Sequence, residues 1–542
     1  MTTASAFAGA ARDARRSWNR RTTIAVAAFV LAAFAPLVVG SARVADLADG
    51  LYLAVAAIGL AFAVGVGGLP SLAQGAFVGV GAVVGARLPF AIAPFAGAAA
   101  GALTAWLTGS LFARLPRAGI AAATWILAWL VSFALQSITW FLGGSEGVVV
   151  STGPAPAAHF EIALALTALA GAAYAALARA PLGLRLAAAR DREAAAHALR
   201  VPVLRARLAA FGASGAAAGL AGALSVQLAG VGDPAQYGPY LSFKLFVVVL
   251  VGGAVAPLGG AVGVVVLGVL SVVADALGSL ENVASARSHT LLAAILLLGV
   301  VSLGWDGLLR PARRLWRTGV AQGEPFTPSP LHADRLGKRY GEVVAAEDVS
   351  LTLEPGTITA LVGPNGSGKT TILRMLAGAV SPDVGRVEHA GVARTLQATS
   401  TFASLTPLEH LLVASSARRR HGGLVRSLFA TPKARAEEER FTAEARTTLE
   451  RFGLEPDVLA TELPAGEQRV LMLLAAAATG SPVLLVDEPT AGASVAEAAR
   501  IADALVALRE EGRALLVVEH NLAVVRRTAD RTVALEAGRI VA

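Results

Sequence analysis

Cysteine is missing from all 542 residues. That removes disulfides, thiolate nucleophiles and zinc–thiolate centres from consideration and leaves the compartment open. Charge is scarce: 15% of residues are charged against 55% hydrophobic, and mean hydropathy is +0.62. The scarcity is uneven. Up to about residue 305 the chain is dominated by Ala, Val, Leu and Gly, with charges in short patches; beyond it the charge density is that of a soluble domain. A membrane half joined to a cytosolic half accounts for this split. Also missing is any stripe of basic residues interleaved with aromatics. The net charge of +8 therefore does not indicate nucleic acid, because much of the arginine sits between hydrophobic spans, where topology and anionic headgroups explain it.

A chain this long needs two or more domains. Arg12, Arg15, Arg16, Arg20 and Arg21 precede an apolar run over 23–40. That run has full membrane length and no Ala-x-Ala site followed by a soluble domain, so it reads as a retained first span rather than a cleaved signal. Further apolar segments lie at roughly 51–67, 71–87, 90–113, 118–142, 161–179, 207–230, 241–256, 259–277 and 289–305. About ten crossings are expected. Loop 143–160 has no Lys or Arg, whereas Arg114 and Arg117, the set from Arg179 to Arg207, and Arg310, Arg313, Arg314 and Arg317 are concentrated elsewhere. Ten spans with both termini cytoplasmic place the three basic groups inside and the uncharged loop outside.

Glycine and proline interrupt many spans: Gly65, Gly67, Gly68 and Pro70 in one place, Gly252, Gly253, Pro257, Gly259 and Gly260 in another. Broken backbone at membrane depth marks a solute path or close helix packing, and the two readings are compatible. The segment Pro181 to Arg207 is mixed in charge and alanine-rich through Arg192-Glu193-Ala194-Ala195-Ala196. A short helix outside the membrane is expected there, at a natural place for mechanical contact. The boundaries expected are a transmembrane domain over 1–317, an extended Gly/Pro linker over 318–330 and an α/β domain over 331–542.

The chemistry is concentrated in Ile358 to Gly378, where a β-branched and aliphatic run ends at Gly363 and a helix-compatible segment follows. The loop Gly363-Pro364-Asn365-Gly366-Ser367-Gly368-Lys369-Thr370-Thr371 matches the phosphate-binding pattern GxxxxGK[ST]. Glycines let backbone N–H groups converge on a polyphosphate, and the following helix points its positive end at the same anion. Lys369 would reach the β- and γ-phosphates, and Thr370 would take one Mg2+ position.

Four more signals follow in order. Tyr340, after Lys338 and Arg339, is open between stacking on adenine and packing on a strand. Gln397 in Arg394-Thr395-Leu396-Gln397 could touch both Mg2+ and the attacking water. Val483-Leu484-Leu485-Val486 is a buried strand ending in Asp487, for Mg2+, and Glu488, for the general base. Val517-Val518-Glu519 leads to His520, which could sense the γ-phosphate. A strand-end histidine or two acids after a strand is often structural by itself; their joint occurrence behind a phosphate loop is what carries the reading.

From about Leu331 onward the chain resembles the ATP-binding subunits of branched-chain amino acid ABC importers. The resemblance lies in the Gly-Pro-Asn-Gly-Ser-Gly-Lys-Thr-Thr loop, the Arg-Thr-Leu-Gln segment, the Glu-His-Asn-Leu switch and the Arg/Glu-rich insertion 417–451. The first half is similar to the permease subunits of the same systems. Gly68-Leu69-Pro70-Ser71-Leu72-Ala73-Gln74-Gly75-Ala76, Glu193-Ala194-Ala195, Val251-Gly252-Gly253, Pro257-Leu258-Gly259-Gly260 and Trp305-Asp306-Gly307-Leu308 carry that likeness.

The resemblance implies a multi-domain protein with an all-α polytopic membrane domain followed by an α/β P-loop ABC ATPase. It implies ATP and Mg2+ as cofactors, import of a branched-chain or related small amino acid across the inner cell membrane, and an extracytoplasmic solute-binding protein. It further implies a second permease–ATPase half, identical or heterologous. The signature loop departs from the family: Leu463-Pro464-Ala465-Gly466-Glu467 stands where Leu-Ser-Gly-Gly-Gln is usual. The family uses this loop to bind the γ-phosphate held by the opposite ATPase, so the site it completes on the partner is expected to be weakened. Two rival readings are a half-size exporter, whose spans are fewer and longer, and a nucleotide-binding membrane sensor with vestigial hydrolysis.

Overall fold

The computed structural model describes residues 41–150, 153–269, 327–389, 391–395, 401–419 and 432–541. The expected spans 23–40 and 289–305, the end of 259–277, most of the linker 318–330, Trp305 and Gln397 lie outside the described residues. The chain divides into two compact units, one of 1–175 with 207–312 and one of 176–206 with 313–542.

In the first unit the apolar segments form helices: α1 (Ser41–Ala61), α2 (Gln74–Gly85), α3 (Ala93–Phe112), α4 (Arg117–Ser137), α5 (Pro156–Arg179), α8 (Val203–Ala229), α9 (Pro239–Gly252) and α10 (Gly259–Val269). Among the described residues, five stretches, Arg43–Val66 among them, are long and apolar enough to cross a membrane, and three apolar helices are shorter. The described residues of this unit also form a π-helical turn Phe62–Val66, a short helix Thr139–Leu142, two 3-10 turns and one short antiparallel pair, β1 (Val148–Val149) with β2 (Val231–Gly232).

Small residues decide how these helices pack. A Cβ on Gly101 of α3 would lie 2.2 Å from the Gly215 carbonyl of α8, and one on Gly81 of α2 would lie 2.0 Å from the Gly219 carbonyl. Without side chains in the way the backbones approach closely, the main source of helix association where lipid is as apolar as leucine. The same holds at the interrupted segments, where a Cβ on Gly65 would meet the Ala254 carbonyl at 2.0 Å and one on Gly252 the Gly259 carbonyl at 1.7 Å. Close helix packing is therefore present at these breaks. The backbone freed between α1 and α2 is satisfied internally: Leu72 N–H donates to Thr124 Oγ1 (2.9 Å) and Gly75 N–H to Ser242 Oγ (2.9 Å). Fully buried Gln74 donates to the Ala56 carbonyl (2.9 Å) and accepts from Ser214 Oγ (3.1 Å).

The second unit is built on two sheets. A six-stranded sheet has the order β11-β10-β5-β9-β8-β7 and a three-stranded antiparallel sheet the order β4-β3-β6. Their strands are β3 (Leu331–Tyr340), β4 (Val343–Leu353), β5 (Ile358–Val362), β6 (Val384–His389), β7 (Val392–Arg394), β8 (Val483–Asp487), β9 (Ala514–Val518), β10 (Arg531–Glu536) and β11 (Arg539–Ile540). Only the β10–β11 pair in the larger sheet is antiparallel. β8 and β9 are buried at every position, so they read as unbroken aliphatic runs, as parallel strands covered on both faces do. Around them lie α11 (Lys369–Leu376), α12 (Pro407–Ala414), α13 (Pro432–Arg451), α14 (Ala465–Ala478), α15 (Val495–Glu510) and α16 (Leu522–Thr528).

The segment 176–206 belongs to this unit. Within it are α6 (Pro181–Asp191) and α7 (Glu193–Ala198). Leu184, Ala188, Ala196, Leu199, Val201 and Val203 share one buried core with Phe402, Leu405, Leu411 and Leu412. The alanines predicted to favour a helix do so, and they also let it pack close. Its partner in the fold has no local signal in the sequence.

Candidate functional site

Strand β5 ends at Val362 and α11 begins at Lys369, so the loop 363–368 sits at the carboxyl end of a central parallel strand, where open α/β sheets place their ligands. Two of its glycines are obligatory. Gly363 (φ +158) leaves no room for a Cβ, which would lie 2.2 Å from the Leu535 carbonyl; at Gly368 (φ +103) it would lie 2.1 Å from the Ala345 carbonyl. Pro364, Asn365, Gly366 and Thr370 are exposed, Thr371 is half-buried, and Ser367 and Lys369 are buried.

Lys369 Nζ folds back to donate to the carbonyls of Gly363 (2.9 Å) and Pro364 (2.8 Å). Burial lowers its pKa, and the nearby charges of Glu488 and Asp487 oppose that shift.

Asp487 closes β8 with a nearly inaccessible side chain. Its Oδ2 accepts from Arg394 Nη2 at 2.9 Å, its backbone N–H donates to Thr395 Oγ1 at 3.3 Å, and its Oδ1 is buried without a partner. No motif in the sequence assigns Arg394 a role. The signal was present in its alternation with Ala393 on a strand paired to β8, which aims it at the end of that strand. Glu488 takes φ +46 and its N–H donates to the Val518 carbonyl (2.9 Å). His520 Nε2 lies 3.4 Å from Glu488 Oε1, so the expected base and switch histidine do meet. Left-handed backbone at a non-glycine residue is uncommon and concentrates at functional positions.

Tyr340 ends β3 and is half exposed, with Lys338 Nζ 5.7 Å from its ring centroid. Exposure leaves the ring free to stack rather than buried as strand packing.

The signature residues gather elsewhere. Pro464 is the N-cap of α14 and contributes no side-chain hydrogen bond. Gly466 N–H donates to Glu497 Oε1 of α15 at 3.0 Å, and Glu467 pairs with Arg500 at 2.9 Å. Leu463 is buried, and its carbonyl accepts from Gln468 Nε2 at 2.8 Å; Ala465 opens the helix. Glu497 also accepts from Ser494 N–H and Oγ in a capping box. These hydrogen bonds, Ser494 first and then Gly466, hold its carboxyl below the usual carboxylate range.

The family model for the branched-chain amino acid transport system permease component matches residues 43–301, and that for ABC transporters matches 346–491. The high-affinity branched-chain amino acid transport ATP-binding protein LivG of Escherichia coli K12 is 31% identical over 226 residues, covering 38% of this chain and 88% of LivG. The chain belongs to the branched-chain amino acid ABC transporter family.

The transporter carries a permease domain and an ATPase domain on one polypeptide. Its ATPase part is also similar to a probable anion import ATP-binding protein of Haloferax volcanii, 32% identical over 255 residues and covering 44% of this chain and 88% of that one. A ribose import ATP-binding protein of Streptomyces avermitilis is 30% identical over 232 residues, covering 40% of this chain and 44% of the relative. A solved nucleotide-free cassette from an ABC transporter is 28% identical, covering 39% of this chain and 89% of that one at a TM-score of 0.34.

Proposed function

We propose that this chain is half of an ATP-driven importer of branched-chain or related small amino acids. It lies in the inner cell membrane with both termini cytoplasmic, is fed by an extracytoplasmic solute-binding protein, and is completed by a second permease–ATPase half. The observation that carries the reading is the place of segment 176–206, which lies in sequence between two long apolar helices and is folded into the ATPase unit. Asp191 Oδ2 accepts from Ser404 N–H (2.7 Å) and Ser404 Oγ (2.6 Å). A Cβ on Gly391 would lie 2.7 Å from Arg200 Nη1, which also reaches Ser481 Oγ at 3.5 Å. Gln397 lies in sequence between Gly391, which Arg200 closely approaches, and Ser404, which Asp191 hydrogen-bonds.

In this reading the loop 363–371 binds the phosphates of ATP. Lys369 exchanges its two carbonyl partners for phosphate oxygens, an anion in place of neutral dipoles, and Tyr340 stacks on the adenine. Glu488 orients a water and takes its proton as the oxygen adds to the γ-phosphorus and the bond from that phosphorus to the β–γ bridging oxygen breaks, giving ADP and inorganic phosphate. His520, already beside Glu488, holds the γ-phosphate side of the site.

The unpartnered buried Asp487 Oδ1 and the exposed Thr370 hydroxyl are hard oxygen donors that suit Mg2+, with Gln397 as a third. Bound there, Mg2+ would neutralise charge on the β- and γ-phosphates. Pro464 offers no hydroxyl and no backbone N–H, and the Gly466 N–H is engaged by Glu497. Both support a weakened site on the partner's nucleotide.

Reconstitution with the second half and the binding protein tests the proposal. Lys369→Ala is expected to lower inward amino acid uptake and ATP hydrolysis together by about 100-fold or more. Outward transport would establish the exporter reading instead, and ATP binding without turnover the sensor reading.

A further inference from the structure

Between the catalytic pair and the loop that follows it sits a buried acid the mechanism above does not use. Glu519 is 3% exposed, and the four hydrogen bonds it accepts all come from neutral donors. Its Oε1 accepts from Thr490 N–H (3.0 Å) and from Thr490 Oγ1; its Oε2 accepts from His520 N–H (2.7 Å) and Asn521 N–H (3.0 Å). A buried carboxylate without a cation is costly unless its hydrogen bonds are complete, and here each oxygen holds one side of a junction. One side is the loop leaving Glu488, whose carbonyl accepts from Ala491 N–H at 3.3 Å. The other is the backbone of the switch histidine, whose ring lies 3.4 Å from Glu488. Only a carboxylate presents two acceptor oxygens; a glutamine would set its NH2 group against at least one backbone N–H donor, Thr490 in one amide orientation and both His520 and Asn521 in the other. Asn521 then caps α16, and Ala491 accepts from Arg469 of the signature helix at 2.6 Å, so the junction also reaches the loop expected to face the partner ATPase.

We propose that Glu519 is a positioning residue: its carboxylate locks the switch histidine to Thr490, so that the Glu488–His520 pair and the loop after it move as one piece. The inference rests on the roles given to Glu488 and His520, and Glu488→Gln serves as the control for that reading.

The test uses the transporter isolated through a tag on this chain and measures turnover, KM for ATP and thermal stability. Glu519→Gln is expected to lower kcat on the order of tenfold to a hundredfold, as misplaced catalytic groups do, with KM for ATP within about twofold. Thr490→Val, which removes one donor at constant shape, is expected to lower kcat less and to add nothing on top of Glu519→Gln. A Glu519→Gln kcat within about threefold of the parent overturns the proposal, as does a fall in kcat matched by falls in nucleotide affinity and thermal stability. If Glu519→Gln does not accumulate as a folded transporter, Thr490→Val decides: lowered kcat at unchanged KM supports the lock, and unchanged kcat overturns it. Turnover that survives Glu488→Gln would refute the reading of Glu488 itself, a result distinguishable from failure of the lock.

Discussion

Replacing Asp191 with alanine tests whether its contact with Ser404 transmits movement or only docks the segment. Its side chain is 9% exposed, and a single oxygen accepts from both the N–H and the hydroxyl of Ser404. Charge-assisted hydrogen bonds contribute about 1.5–3 kcal/mol each. With two donors sharing one oxygen at a partly wet edge, we assign about 3 kcal/mol to the pair. At 1.4 kcal/mol per tenfold, that is roughly a 100-fold loss of preference for the native arrangement. The segment stays in place regardless, because buried Leu184, Leu199, Val201 and Val203 together supply about 6–12 kcal/mol at 1.5–3 kcal/mol per aliphatic side chain. Asp191→Ala is therefore expected to assemble normally, bind ATP like the parent and hydrolyse it, while solute moved per ATP falls steeply. Uptake and phosphate release measured on the same proteoliposomes give that ratio. Asp191→Asn, which keeps an acceptor oxygen and loses the charge, should fall between. A ratio within about twofold of the parent for Asp191→Ala would refute the transmission role of this contact and leave Ser404 as ordinary packing.

Two stability predictions accompany it. Arg394→Met strands the Asp487 carboxylate in a nearly dry position, and breaking a buried ion pair by removing one partner costs about 3–5 kcal/mol; chemical denaturation showing a loss below about 1 kcal/mol would mean the pair is solvent-screened. His410 is fully buried, its Nε2 accepting from Phe402 N–H (2.8 Å) and its other ring nitrogen 2.8 Å from the Thr406 carbonyl. Burial pushes its pKa from 6.5 down to about 4. The neutral ring therefore stabilises the fold above pH 6.5, and that contribution drains away as pH falls toward 4, because the unfolded chain takes up the proton first. At about 1.4 kcal/mol per pH unit, the ATPase part should lose about 2 kcal/mol between pH 6.5 and 5, and His410→Asn should flatten that limb of the denaturation-midpoint profile.

The phosphate loop was legible in the sequence because its constraints are local. Gly363 and Gly368 need positive φ and an absent Cβ, and lysine and threonine must follow at fixed spacing on the first turn of a helix; no distant residue alters that requirement. The buried strands ending at Asp487 and Val518 were legible for a similar reason, since a parallel strand covered on both faces has to be aliphatic throughout. Apolar length alone likewise marked the helices from 43 to 252.

Partnership is different, because it depends on which segments the fold brings together. Nothing in Arg192-Glu193-Ala194-Ala195-Ala196 indicates that α6 and α7 pack into the ATPase core, or that Asp191 finds Ser404 more than two hundred positions away. Arg394 and Asp487 become a pair only when β7 lies beside β8. Glu519, one residue before the histidine the motif points to, looks like a spacer until Thr490 arrives under it. Sequence determined which side chains could touch a phosphate. Tertiary structure alone decided which carboxylates are held, by what and how dry they are, because burial and hydrogen-bond completion belong to the assembled fold and not to any stretch of chain.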